Sequence, residues 1–294
     1  MPTLTVLTAT YNRGLLLSKC YESLCRQTCK DFEWLIVDDG SVDNTKEVVG
    51  KLGEKSVFPI FYIRKGNGGK HTALNYSHPY IHGRYLLMLD DDDVLTPDAV
   101  ETVLKDWKLY DSNKKIGCLS YQKGGRDLKP LVKWGEKNPI LSNTIDFRVN
   151  ACRNGDCAEV IRTKMFLEYP APVFDGERFL PEDFLWINSA FKYDTVYISK
   201  IIYLCEYRED GLTKTKNLNR FKNPLGGMYT CNLYFNSQIS VYVQLKKAIL
   251  YDCYALYTGK LIANLKKSKG VIVCILSLPI SCFLLKYWLW RNDR

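Results

Sequence analysis

Four consecutive aspartates, Asp90 to Asp93, close the apolar run Tyr85–Leu89. Carboxylates this close raise one another's pKa, and each neighbouring pair costs on the order of 1 kcal/mol at a surface-like dielectric. A divalent cation removes that cost. In an extended segment residues i and i+2 point the same way, so Asp90 and Asp92 are predicted to share one metal while Asp91 points elsewhere. Hard oxygen donors favour Mg²⁺ or Mn²⁺, ions that stay partly hydrated and partly bound to phosphate oxygens. Acidic residues also suit a helix N-terminus, but one or two suffice there. A second acidic pair, Asp38-Asp39, closes another apolar run, Glu33–Val37.

Two chemistries use paired aspartates at this spacing. In a haloacid-dehalogenase-type phosphatase the first aspartate attacks phosphorus after four apolar residues, and Leu86–Leu89 followed by Asp90, Asp92 and Val94 meets that pattern. In transfer from a nucleoside-diphosphate sugar, the metal neutralises the leaving diphosphate. The phosphatase motif normally begins its fold, needs a later lysine and acidic pair, and leaves Asp38-Asp39 without a role. A nucleotide-sugar sensor, binding donor without consuming it, is a third possibility.

The elements that must position these groups alternate in type. Thr3–Ala9, Glu33–Val37, Phe58–Ile63 and Tyr85–Leu89 are short apolar runs of strand character, separated by amphipathic stretches such as Leu15–Gln27. Asp43-Asn44-Thr45 and Thr96-Pro97 are helix-starting sequences, the proline standing in the first turn. Such alternation predicts an α/β fold with a mostly parallel, doubly wound sheet covered on both faces. Ligands bind such sheets at the carboxyl ends of the strands, where both acidic clusters lie. From about residue 121 the pattern loosens, tightening at Ala158–Phe166, Pro181–Tyr193 and a β-like run, Thr195–Cys205. From Asn217 onward it reads as helical.

Several motifs in order resemble glycosyltransferase family 2: Ala9-Thr10-Tyr11-Asn12-Arg13, Ser23 to Thr28, Phe32 to Ser41, Asn67-Gly68-Gly69-Lys70, Ala73-Leu74-Asn75, and Leu89 to Asp93 with Pro97-Asp98. The resemblance covers about the first 110 residues. It implies a GT-A fold, a nucleoside-diphosphate sugar donor with UDP as the expected nucleotide, and an inverting reaction. Carried over by position, Tyr11 lies against the base and Asp39 binds base or ribose. Lys70 lies near the nucleotide, Asp91 near ribose, and Asp90 with Asp92 on the metal–diphosphate. An inverting displacement also needs a base for the acceptor hydroxyl. The family places it downstream, often in a Glu-Asp pair at a helix start, as in Pro181-Glu182-Asp183-Phe184. Asp183 is the preferred base, Glu182 the alternative, and Asp156 a candidate for acceptor contact. The resemblance implies a division into a nucleotide-sugar half (1–120), an acceptor half (121–215) and a helical C-terminal region (216–294).

Composition agrees with a folded enzyme. The 294 residues are 46% hydrophobic and 25% charged, which excludes a disordered or many-spanning chain. A net charge of +9 calls for an anionic partner, and no nucleic-acid-binding motif is present, so none is expected. Eleven cysteines without a C-x-x-C pair, behind a start lacking a basic signal-peptide region, are read as reduced thiols of a cytoplasmic protein. Gly69-Lys70 is not a phosphate loop, because Arg64 stands at the first glycine and His71 at the Ser/Thr position.

Val271–Leu285 is uncharged and, as a fifteen-residue helix kinked at Pro279, is predicted to be too short for the ~30 Å hydrocarbon core. Lys260, Lys266, Lys267 and Lys269 precede it; Trp288, Trp290, Arg291 and Arg294 follow. Basic flanks and an aromatic end predict that 271–290 makes peripheral contact with an anionic membrane, on the inner face of the cell membrane. A buried core or dimer helix is the alternative. The expected reaction is metal-dependent sugar transfer to a lipid-linked or surface polysaccharide, such as a capsule.

Overall fold

Apolar runs without alternation suit strands covered on both faces. Such runs form β1 (Leu4–Thr10), β2 (Phe32–Asp38) and β4 (Tyr85–Met88), whereas β3 (Ile60–Arg64) is the sheet edge and only partly covered, with Phe61 exposed. The computed structural model describes residues 1–125, 127–132, 134–135, 138–153, 155–205 and 221–292. The four strands pair in parallel in the order β3-β2-β1-β4, with Leu4 opposite both Phe32 and Tyr85. Strand order reverses between β1 and β4, so their carboxyl ends border a crevice. Helices α1 (Gly14–Cys25) and α2 (Thr45–Lys55) pack Leu17, Leu24 and Val49 against Leu4 and Val6; α3 (Lys70–Ser77) packs Leu74 with Leu7 in a second core. Successive β1 side chains thus serve opposite faces.

Beyond β4 the sheet becomes mixed. β5 (Val94–Leu95) and α4 (Ala99–Tyr110) precede β6 (Ile116–Gly124), β7 (Ile140–Ser142) and β8 (Cys157–Arg162), followed by α5 (Thr163–Glu168), α6 (Asp183–Ala190) and β9 (Asp194–Leu204). β8 runs antiparallel to both β4 and β6, whereas β6 and β9 are parallel. Parallel pairing therefore runs unbroken through β3-β2-β1-β4 and recurs beyond them only between β6 and β9, the remaining pairs being antiparallel. β6 escaped the sequence pattern because polar residues interrupt it. The Gln122 amide donates to the Val132 carbonyl at 2.8 Å, and Lys123 points to Asp90. Pro97 lies in the turn before α4 rather than in its first turn, since Thr96 and Asp98 bond to each other there.

The C-terminal helices are α7 (Pro224–Leu233), α8 (Val241–Tyr257), α9 (Leu261–Leu265) and α10 (Val271–Asn292). Asn217, the proposed boundary near 215, Arg294 and the Arg291 side chain lie outside the described residues. All eleven cysteines are free thiols. α10 overturns the fifteen-residue expectation. It continues through Pro279 for 22 residues, about 33 Å at 1.5 Å per residue, and is long and apolar enough to cross a membrane. One stripe of it, Cys274, Ser277, Ser281 and Leu285, is buried, while Ile272, Leu276, Ile280 and Phe283 are exposed.

Against that stripe, α8 buries Asp252, which accepts hydrogen bonds from Ser277 (2.6 Å) and Ser281 (3.1 Å). Burial pushes this carboxyl up to about 6, outweighing the hydroxyls that favour its charge. An acid with a raised folded pKa holds a proton that the unfolded chain releases. Its contribution is therefore complete below about pH 4 and is lost as pH rises through 6. We expect Asp252→Asn to remove this slope, adding about 2 kcal/mol at pH 8 relative to wild type and little at pH 4. Denaturant melts across that range measure it.

Candidate active site at the carboxyl edge of the sheet

The loops after β1, β2 and β4 converge at the switch point. The aspartates after β4 do not continue as an extended strand. They form a turn, in which the Asp93 N–H donates to the Asp90 carbonyl at 3.2 Å. Buried Cys20 Sγ lies 3.0–3.4 Å from the carbonyl oxygens of Asp90, Asp91 and Asp93, supporting the turn from α1. The expected same-side pairing of Asp90 and Asp92 in a pleat therefore has no basis in this backbone.

Three protein cations share the acidic turn. Arg13 donates to Asp91 at 3.0 Å and to Asp92 at 3.3 Å, and Thr10 Oγ1 donates to Asp91 at 2.8 Å. Asp90 meets Lys70 at 2.7 Å and Lys123 at 3.8 Å. Lys123 also lies 4.0 Å from the centre of the Tyr203 ring, and the Tyr203 hydroxyl accepts the Asp90 N–H at 2.9 Å. Burial acts to raise the Asp90 pKa, but the two ammonium groups win and hold it well below the usual range. Burial dominates elsewhere, raising Asp91 against the pull of Arg13 and pushing Asp93 up to about 6.

Asp90 and Asp92 are the more accessible members, with side chains 40% and 19% exposed against 7% for Asp91. Their donors suit Mg²⁺ or Mn²⁺. Among the described residues no group of three His, Cys, Asp or Glu forms a ready cage. Magnesium commonly takes one or two carboxylates, with phosphate and water completing its octahedron. The residues present thus fit a cation that arrives with a diphosphate.

Asp39 is buried and organises the glycine-rich turn. It accepts from Lys65 (2.8 Å) and from the N–H groups of Gly68 (3.0 Å) and Gly69 (2.7 Å). Gly69 has φ +92°, and a Cβ there would stand 1.9 Å from the Arg178 carbonyl oxygen, so only glycine fits. Tyr11, 45% exposed at the end of β1, offers an open aromatic face.

Lys70 begins α3 immediately after this turn. Its Nζ bridges Asp90 (2.7 Å) and Glu182 (2.8 Å), which places the acidic pair before α6 beside the acidic turn. Burial disfavours the Lys70 charge, yet Asp90 and Glu182 together raise its pKa. Asp183 faces elsewhere: Tyr234, just after α7, donates to it at 2.7 Å and Lys247 of α8 at 3.0 Å. Asp156 is exposed on the loop before β8. Sequence reasoning missed Lys123, Tyr203 and Glu159. Glu159 sits on β8 beside Arg148 (3.3 Å), and burial pushes its carboxyl up to about 7. Arg13 lay within a quoted motif but had no role there. No local signal marks the other three.

The family profile "Glycosyl transferase family 2" matches residues 5–166, spanning the acidic turn, the glycine-rich turn and Glu159. The chain belongs to this family and is a glycosyltransferase, which sets the phosphatase and the non-catalytic sensor aside. It is 28% identical over 289 residues to the GalNAc(5)-diNAcBac-PP-undecaprenol beta-1,3-glucosyltransferase of Campylobacter jejuni, covering 96% of this chain and 90% of that one. The fold is similar to that of TarS residues 1–349 from S. aureus, solved with UDP-GlcNAc (TM-score 0.61, 17% identity, 87% of this chain and 72% of that one). It is also similar to the mannosyltransferase PcManGT of Pyrobaculum calidifontis, solved with GDP-Man and Mn²⁺ (TM-score 0.60, 16% identity, 99% and 82%). The architecture is GT-A, with a helical C-terminal part.

Proposed function

We propose that this chain is an inverting, cation-dependent glycosyltransferase that moves a sugar from a nucleoside diphosphate, with UDP the expected nucleotide, to a hydroxyl of a lipid-linked or surface saccharide. The observation that carries the reading is the Lys70 bridge, which joins the acidic turn to the acidic pair at one switch-point crevice. Asp90 and Asp92 would hold Mg²⁺ or Mn²⁺, whose chemistry there is to stabilise charge on the departing diphosphate. Tyr11 stacks on the base; Asp39, through the turn that it holds, shapes the base and ribose side; Asp91 lies toward ribose.

In an inverting displacement the base must lie across the sugar from the leaving group. Glu182 is one lysine away from Asp90, on the diphosphate side. Asp183 faces away from the acidic turn, toward Tyr234 and Lys247, and is assigned as base, with Glu182 positioning Lys70. The undecaprenol-linked acceptor named for the C. jejuni relative supports a lipid-linked acceptor here. The test is a thermal-shift series of nucleoside diphosphates and their sugars with and without Mn²⁺. One nucleotide with Mn²⁺ is expected to raise Tm by about 5 °C at saturating ligand. A flat series would overturn the donor assignment.

The exposed face of α10 is proposed to lie on an anionic membrane, on its cytoplasmic side. Because α10 packs along α8, spanning would carry Lys246, Lys247 and Asp252 into hydrocarbon, which is costly. Surface insertion avoids this. Ile280→Asp with Phe283→Asp is expected to shift the folded protein from the membrane to the soluble fraction on flotation, while nucleotide binding persists.

A further inference from the structure

Between α8 and α10 lies an apolar groove of about 230 Å³, walled by Phe221, Ile249, Leu250, Leu284 and Trp288, with the exposed Lys246 at its rim. We propose that this groove binds the lipid end of the acceptor, a prenyl diphosphate, with its chain between the two helices and its diphosphate on Lys246. The inference rests on the lipid-linked reading above.

Helix direction supports this occupant. Asp252 of α8 meets Ser277 and Ser281 of α10, and one turn earlier on α8 the groove residues Ile249 and Leu250 face Leu284 and Trp288, one turn later on α10. The helices are therefore antiparallel, and Leu284 and Trp288 of α10 border the same groove as Lys246. Leu284 of the groove stands one turn after Ile280 on α10, so the groove borders the face proposed to lie on the membrane, where its apolar walls can take the chain of an amphiphile. Lys246 leans along its helix over the Tyr242 ring, at 4.2 Å. The next residue, Lys247, contacts Asp183 at 3.0 Å. The groove and the contact that holds the proposed base are thus built on one segment of α8 but on different faces of it, since successive helix residues point about 100° apart. Among the described residues no carboxylate pairs with Lys246, so a diphosphate would supply its counter-charge, and a single branched chain would supply the apolar contact.

The test uses the full chain in detergent and farnesyl diphosphate as probe. Titration calorimetry is expected to show binding that weakens about tenfold or more in Lys246→Glu and in Leu250→Arg, and to a similar degree when farnesol or inorganic pyrophosphate replaces the probe. UDP affinity, read on the same samples, reports that each variant is folded. Equal affinity of the probe for wild type and both variants would overturn the proposal. So would displacement of the probe by phosphatidylglycerol at equal concentration, which would mark a general lipid contact. Transfer assays separate the two levels. Unaltered transfer to a prenyl-diphosphate-linked saccharide in both variants removes the groove and leaves the acceptor reading standing. Transfer restricted to lipid-free saccharides removes that reading itself.

Discussion

Asp92→Asn is expected to lower turnover by about 10²–10³-fold and to abolish the manganese dependence of nucleotide binding, while Tm changes by no more than about 2 °C. Asp92 suits this test because it contributes little to the fold. Its contact with Arg13 is 3.3 Å long, and Arg13 keeps its shorter bond to Asp91. Removing one carboxylate charge facing the cation weakens the stabilisation of the departing diphosphate. A hundredfold loss corresponds to about 2.7 kcal/mol of transition-state energy. The same change at Asp91 would act differently, since Thr10 and Arg13 both spend hydrogen bonds on that buried carboxylate. Steady-state kinetics with a UDP-sugar, together with calorimetric titration of Mn²⁺ and UDP, separates the two. Unchanged kinetics and metal dependence in Asp92→Asn would remove the cation from the mechanism.

Asp183→Asn is expected to reduce kcat by about 10³-fold with KM for the donor little altered, the pattern of a group that acts on the acceptor hydroxyl in the transition state. Glu182→Gln should cost about tenfold, because Lys70 retains Asp90 and loses only its second partner. The contrast between adjacent carboxylates is the informative quantity. Glu182 caps α6 and Asp183 is its first residue, and both are about half exposed. They differ in the direction in which the helix start aims them, one toward the acidic turn and the other toward Tyr234 and Lys247. If Glu182→Gln proved the more damaging, the two assignments would exchange.

Much of the first 110 residues was legible because parallel strands buried on both faces leave long apolar runs, and the groups at their carboxyl ends follow at once in sequence. β1, β2 and β4 end within a few residues of Tyr11, Asp39 and Asp90. The glycine at 69 is required by local conformation, so it too carried a local mark. The second half was less readable. β6 holds Gln122 and Lys123 among its apolar residues, and their partners come from distant segments. Helix α10 is longer than its uncharged core suggested, since Pro279 lies on its exposed face and the helix continues into Lys286 and the aromatic residues.

What the sequence determined by itself was the chemistry on offer: clustered carboxylates after apolar strands, a glycine-rich turn before Lys70, and an acidic pair at a later helix start. What only the tertiary structure decided was how these charges are shared. Arg13, Lys70 and Lys123 come from three separate elements to balance the acidic turn, where sequence reasoning had looked to a metal alone. Asp39 proved to hold the glycine turn, and adjacent Glu182 and Asp183 proved to face different partners. The reason is physical. Charge neutralisation depends on separations of a few ångströms across the fold, and those separations are set by strand order and helix packing rather than by distance along the chain.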